Sequence, residues 1–360
     1  VALEWGMLGK AVPTFARVVL TTFLLLFAAD GFLVAGPICP KVVIVATFEI
    51  GNDTGDVPGE FQFWVEREKL VHTMTVPGVD HIVRFNDDGT YGVVSGTTAR
   101  AGLQIMALGL DPRFDFSHSY WIVNGIAGIN PNKASLGSAM WAAHVVDGDI
   151  AYEIDSREAP ASWPYGIVPI GSNAPNQAPD PKDSAWAPKP MAWTLNPALV
   201  QWAYGLTRSV PLVDTPAAQQ YRALYTNYPV AQKPPFVLIG DSFCSCRYWH
   251  GTVMSQWASD WDKLYTQGQG DFVMTAMEDQ GIANALDRLS AMHKVDFQRV
   301  LFLRSGSNYC LPHPGQTAAQ SMTAEYAGMK PALEAAYRTG SVVLHAIESG
   351  WKQDETATPK

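Results

Sequence analysis

The chain has 360 residues, 47% hydrophobic and 16% charged, with 30 Gly and 25 Pro, a composition that excludes a disordered chain, a coiled coil and a collagen-like repeat. Its 25 Lys and Arg stand against 34 Asp and Glu, a formal charge of −9. That balance runs opposite to the basic footprint of a nucleic-acid binder, so DNA and RNA are set aside as partners.

Taken in chain order, the first feature is an export signal. From Met7 onward, Lys10 and Arg17 precede an apolar run over residues 18–29, and the small residues Gly31, Ala35 and Gly36 follow. A basic start, an apolar core and a small-residue cleavage zone predict an exported protein whose mature chain begins between about residues 30 and 40. An uncleaved N-terminal anchor is the alternative. Residues 1–36 are therefore read as a signal region, 37–352 as a single α/β domain, and 353–360 as a tail. Beyond residue 40 no stretch has the roughly 18 uncharged apolar residues of a membrane-spanning helix, so no multi-span membrane domain is expected.

Residues 41–48 (KVVIVATF) form a β-branched apolar run that predicts a buried strand, ending in Glu49 and a Gly/Asn/Asp cluster. Residues 91–95 predict a second strand, 99–110 a helix that stops at Asp111-Pro112, and 119–123 a third strand running into Asn-Gly-Ile-Ala-Gly-Ile. Residues 159–190 are crowded with Pro, Gly, Asn and Ser and are read as an insertion, lid or contact arm. Asn196-Pro197 marks an N-cap with proline at the first helical position. Further helices are predicted over 214–228, 251–267 and 278–293, and strands over 235–240, 271–275 and 299–304. A closing helix over 316–352 is expected to bend or break around Pro331. Strand-then-helix alternation of this kind predicts an α/β fold with a largely parallel sheet.

Cysteines 39, 244, 246 and 310 are too few for a disulfide framework. Cys244-Ser-Cys246 lacks the spacing of a structural zinc site, so no metal is expected.

Polar residues recur at the predicted strand ends, where open α/β sheets bind ligands. They are Glu49 to Asp53, Asn124 to Gly128, Asp241-Ser242-Phe243, Met277-Glu278 and Ser307-Asn308. In this order the segments GIAGI, LIGDSF, VMTAMEDQGIA and LFLRSGSNY resemble the nucleoside phosphorylase and nucleosidase superfamily. FEIGNDTGDVPGEFQFWVER, SLGSAMWAAHVVDGDIAYEID and YWHG resemble, within it, the purine nucleoside permease family.

The resemblance covers residues 41–350. It implies a three-layer α/β sandwich around a twisted mixed, largely parallel sheet able to close into a distorted barrel. It also implies purine nucleosides as ligands and a homo-oligomer. Cleaving a purine N-glycosidic bond builds positive charge on the ribose and negative charge on the base. Glu278, beside Met277, matches the family's ribose-binding position. Ser307 and Asn308 fall at the base end, Asn308 standing where adenine-preferring nucleosidases carry Asp, which points to 6-oxopurines. Phe243 matches the purine-stacking position. Glu49 lies near the water-activating carboxylates, with Asp53 competing for that role.

Gly125, Ala127 and Gly128 form the expected ligand-binding turn. Ile126 stands there where phosphorylases place Ser, so water is favoured over inorganic phosphate as co-substrate. Arg100 is the residue left to hold an anion, and no cofactor is called for. The reading is a purine nucleoside-binding protein that cleaves the glycosidic bond. A nucleoside-binding or uptake component without turnover, and a storage-type relative that has lost catalysis, are the alternatives.

Overall fold

The computed structural model describes residues 36–354 and 357–359, so the predicted export-signal region 1–36 lies, but for Gly36, outside the described residues. Every element below belongs to the compact unit Ile38–Lys360.

The apolar run after Lys41 forms β1 (Val42–Ala46), all five residues buried because this strand lies in the middle of the sheet. A short helix α1 (Gln62–Arg67) and the strands β2 (His72–Met74), β3 (Val83–Phe85) and β4 (Thr90–Val94) follow. Next come α2 (Ala101–Leu110), β5 (Tyr120–Ile129), β6 (Ala139–Asp147), β7 (Ala151–Glu153), β8 (Ile167–Pro169) and β9 (Ala192–Thr194). The second half holds α3 (Pro197–Thr207), α4 (Pro216–Ala223), β10 (Val237–Cys244), α5 (Thr252–Tyr265) and β11 (Phe272–Ala276). It closes with α6 (Asp279–Ala291), β12 (Val300–Tyr309), α7 (Ala318–Met322) and α8 (Met329–Asp354).

The main sheet runs β11-β10-β6-β12-β5-β1-β4-β3-β2. The pairs β1–β4, β1–β5, β12–β5, β10–β6 and β10–β11 are parallel, while β12–β6 and the β2–β3–β4 edge are antiparallel. A single antiparallel pairing of Met274 with Ile129 joins β11 back to β5 and closes five strands into a distorted barrel. Helices surround the sheet: α8 packs on β12, β5 and β6, α6 on β6 and β10, α5 on β10 and β11, and α2 lies against α6. Among the described residues, no helix is long and apolar enough to cross a membrane.

Local chemistry sets the helix ends. Asn196 accepts hydrogen bonds from the backbone of Ala198 and Leu199, and Thr215 from Ala218, each followed by proline at the helix start. Pro331 neither bends nor breaks the closing helix. It is the third residue of α8, where the helix still has no N–H to lose, and the predicted single element is two helices, α7 and α8.

Two other expectations change. The run Asn124 to Ile129 is not a turn but the second half of β5, and Ser305 to Tyr309 likewise continues β12. Glycine serves there for close approach: a Cβ on Gly306 would sit 2.0 Å from Ile129 Cδ1. The Pro-rich segment 159–190 carries β8, paired with β7.

Candidate active site

A cavity of about 230 Å³ opens where β1, β5, β11 and β12 end, the place a mostly parallel sheet offers a ligand. One end is acidic and deep, and the other carries hydroxyl, amide and phenol groups.

At the deep end stands Glu60, a residue the sequence reading did not single out. It is 4% exposed and lines the cavity. Its Oε2 accepts from Thr47 N at 2.8 Å, Thr47 Oγ1 at 2.6 Å and Phe48 N at 3.2 Å, and its Oε1 accepts from Ile126 N at 2.6 Å. Burial pushes its carboxyl up, Arg304 pulls it down and Glu278 pushes it up again, leaving it at about 7. A carboxyl held there switches between acid and base near neutral pH.

Glu278 starts α6 just after β11 and lines the same cavity, 7% exposed. It accepts from Arg304 Nη2 at 3.2 Å and from the Met277 backbone at 3.1 Å. Burial raises its pKa and Arg304 opposes that shift. Arg304, 1% exposed on β12, is the cation of this cluster. Its guanidinium forks onto the fully buried Asp279, reaches Glu278, and donates from Nη1 to the Ile126 carbonyl at 3.2 Å. Asp279 also accepts from Ser242 Oγ at 2.7 Å, so each charge here has a fixed partner.

Gly125 explains how the guanidinium fits. A Cβ at that position would lie 2.1 Å from Arg304 Nη1 and 2.9 Å from Glu60 Oε1, so only glycine lets the strand pass between them.

The opposite end is built by a bulge. Gly306 pairs with Ala127 and Asn308 with Gly128, so Ser307 is the extra residue that re-aims this stretch of β12. Ser307 Oγ donates to Asn308 Oδ1 at 2.9 Å, and Asn308 Nδ2 donates to Tyr248 Oη at 3.1 Å and to the Tyr309 carbonyl at 3.3 Å. Tyr248 and Tyr326 complete this end of the cavity.

Of the residues expected at a site, Glu278, Met277, Ser307, Asn308, Ala127 and Gly128 line one cavity, with Gly125 just behind it. Four do not. Glu49 is turned onto the backbone, accepting from Gly59, from Phe61 N at 2.8 Å and from Gln62 N at 2.6 Å. Asp53 is held by Arg84 and by His81 at 3.1 Å, in a separate open cleft. Phe243 is fully buried among Trp249, Trp257 and Phe272 and belongs to the core. Arg100 is exposed at the start of α2. Among the described residues, no group of three or more His, Cys, Asp or Glu is placed to hold a metal ion.

The sequence matches the family model described as purine nucleoside permease over residues 39–358. A Schizosaccharomyces pombe protein described as a purine nucleoside permease is 31% identical over 75% of this chain and 78% of its own length. The purine nucleoside permease of Candida albicans is 27% identical over 87% of this chain and 76% of its own. Among solved structures, the 5′-methylthioadenosine/S-adenosylhomocysteine nucleosidase of Helicobacter pylori with butyl-thio-DADMe-Immucillin-A is 11% identical. It matches 86% of this chain and 99% of that one at a TM-score of 0.50, a likeness of fold.

Proposed function

The chain belongs to the purine nucleoside permease family, and from that premise we propose that it binds purine nucleosides and cleaves their N-glycosidic bond with water. The observation that carries this reading is Glu60, a buried carboxyl balanced near neutrality at the deep end of a cavity it shares with Glu278. Three hydrogen bonds fall on its Oε2 but only one on Oε1, so Oε1 is the oxygen with capacity for a water molecule.

In the proposed reaction Glu60 takes a proton from water as the water oxygen bonds to the ribose C1′. The C1′–N9 bond breaks and its electron pair leaves with the purine, which takes up a proton from solvent. Glu278 accepts hydrogen bonds from the ribose hydroxyls and favours the cationic sugar. Ser307 and Asn308 stand at the base end. Water is favoured over phosphate because the cavity presents two carboxylates, and the buried Arg304 guanidinium behind them is committed to Glu278 and Asp279.

Incubation with inosine and adenosine, with and without phosphate, tests this reading by product. Free purine with ribose is the expected result, and ribose 1-phosphate would replace hydrolysis with phosphorolysis. Binding without turnover is a second reading, favoured by Asn308, whose amide cannot deliver a proton to the leaving base. Tight nucleoside binding with no product would establish it. Glu278→Gln should lower kcat/KM for inosine by about 10- to 100-fold, through loss of charge-assisted hydrogen bonds. An unchanged value in a folded variant would remove Glu278 from the sugar site.

A further inference from the structure

We infer that the Tyr248 hydroxyl, held in place by Asn308, is the donor that binds N7 of the purine, an assignment that rests on the nucleoside reading above. Tyr248 belongs to the YWHG segment, which the residues around it anchor on one side of the cavity. Trp249 packs edge-on against Phe243 at 5.9 Å and Trp257 at 5.8 Å. Gly251, at φ +117°, donates its N–H to the Cys310 carbonyl at 2.8 Å before α5 begins. Tyr248 lies between the β10 end and this anchor, 43% exposed, with its ring at the cavity rim.

The hydrogen-bond inventory separates the roles of Asn308 and Tyr248. Both hydrogens of the Asn308 amide are spent, one on Tyr248 Oη and one on the Tyr309 carbonyl, and its oxygen accepts from Ser307. That amide cannot present a donor to the base without breaking a bond it already makes. What it supplies is a fixed donor onto the Tyr248 oxygen, which leaves the single phenol hydrogen to point away from Asn308. Burial and a side-chain hydrogen bond with Tyr326 push the Tyr248 phenol up, so the hydroxyl stays protonated, and a base entering the cavity takes that hydrogen in place of Tyr326 while the bond from Asn308 is kept. N7 is the ring atom on which the departing purine accumulates charge and which a single donor can reach without reading the rest of the base. Tyr248 is then a substrate-binding residue and Asn308 its positioning residue.

The test uses carbocyclic inosine, which lacks the ribose ring oxygen and is not cleaved, and its 7-deaza counterpart, which lacks the N7 acceptor. Calorimetric titration of the wild-type chain should give about tenfold weaker binding of the 7-deaza ligand. Tyr248→Phe should weaken carbocyclic inosine by about tenfold and leave the 7-deaza ligand within twofold, the non-additivity expected of directly paired groups. Asn308→Ala should weaken carbocyclic inosine alone, by several-fold, since its effect passes through Tyr248.

Equal losses for both ligands on Tyr248→Phe, or no loss for either, would overturn the assignment. If that variant failed to fold, equal binding of the two ligands by the wild-type chain would overturn it alone. Binding of carbocyclic inosine with the expected ratio but no cleavage of inosine would sink the hydrolytic reading and leave this one standing. Failure of the wild-type chain to bind carbocyclic inosine would sink both.

Discussion

Glu60→Gln should reduce cleavage of inosine by 10²- to 10⁴-fold, on the order expected for loss of a general base. The amide is nearly isosteric but cannot take a proton from water. The wild-type pH profile carries a second signature. Base catalysis needs the ionised form, so kcat/KM should fall as pH drops below about 7, where Glu60 becomes protonated.

The effect on stability has the opposite sense. The folded chain holds the Glu60 proton up to about 7, whereas an unfolded glutamate releases it near 4.5. Stability linked to this group is therefore fully present below pH 4.5 and is lost as pH rises through 7, by about 3 kcal/mol. Glu60→Gln should flatten that part of the Tm–pH curve while it removes activity. A variant that keeps wild-type turnover would take Glu60 out of the mechanism, whatever its stability.

Arg304→Met should destabilise the fold by about 3–5 kcal/mol, the range for a buried ion pair stripped of one partner. Arg304 sits between Asp279, Glu278 and Glu60, and nothing else positive reaches that cluster in the hydrogen bonds and ion pairs described. Its charge lowers the pKa of both Glu60 and Glu278, so removing it raises both. The deficit should be greater at pH 8 than at pH 5, because at the lower pH the orphaned carboxyls can take up protons and discharge. Arg304→Lys keeps the charge but loses the fork onto Asp279, and should fall between wild type and Met. Chemical denaturation at the two pH values measures this, and an unchanged midpoint would mean that the cluster tolerates its own repulsion.

Much of the site was legible because chemistry and strand ends coincide. Met277-Glu278 follows a short apolar strand and opens an amphipathic helix, a placement that survives small errors of register. Glu60 was not legible for a physical reason. A loop of Gly, Asn, Asp and Pro separates it from the end of β1, and three other carboxylates, Glu49, Asp53 and Asp56, come first. Proximity to the strand favoured Glu49. The better signal was Glu60 directly before the buried Phe61 and Trp64, since a carboxylate leading into a core helix has to be satisfied or functional.

The glycines misled in the same direction. Gly125 and Gly128 read as a turn, but they admit Arg304 and Thr275 against the strand, and that requirement comes from residues far away in sequence. Phe243 read as a stacking platform because it follows a polar strand end. The Trp residues that bury it lie in α5 and the YWHG segment, which single-strand reasoning cannot see.

Glu49 has a consequence for how this family can vary. Its carboxylate ties the backbone of Gly59, Phe61 and Gln62 back to the end of β1, so the loop between is stapled shut at its root. Lengthening a loop whose ends are already held adds only a slowly growing entropic cost. Insertions or deletions between residues 54 and 58 would therefore leave Glu60 where it stands, held as it also is by Thr47, Phe48 and Ile126, whereas a change at Glu49 would loosen the root of the loop. Length polymorphism in that stretch, and its use as a graft point for a reporter peptide, should be compatible with an intact cavity.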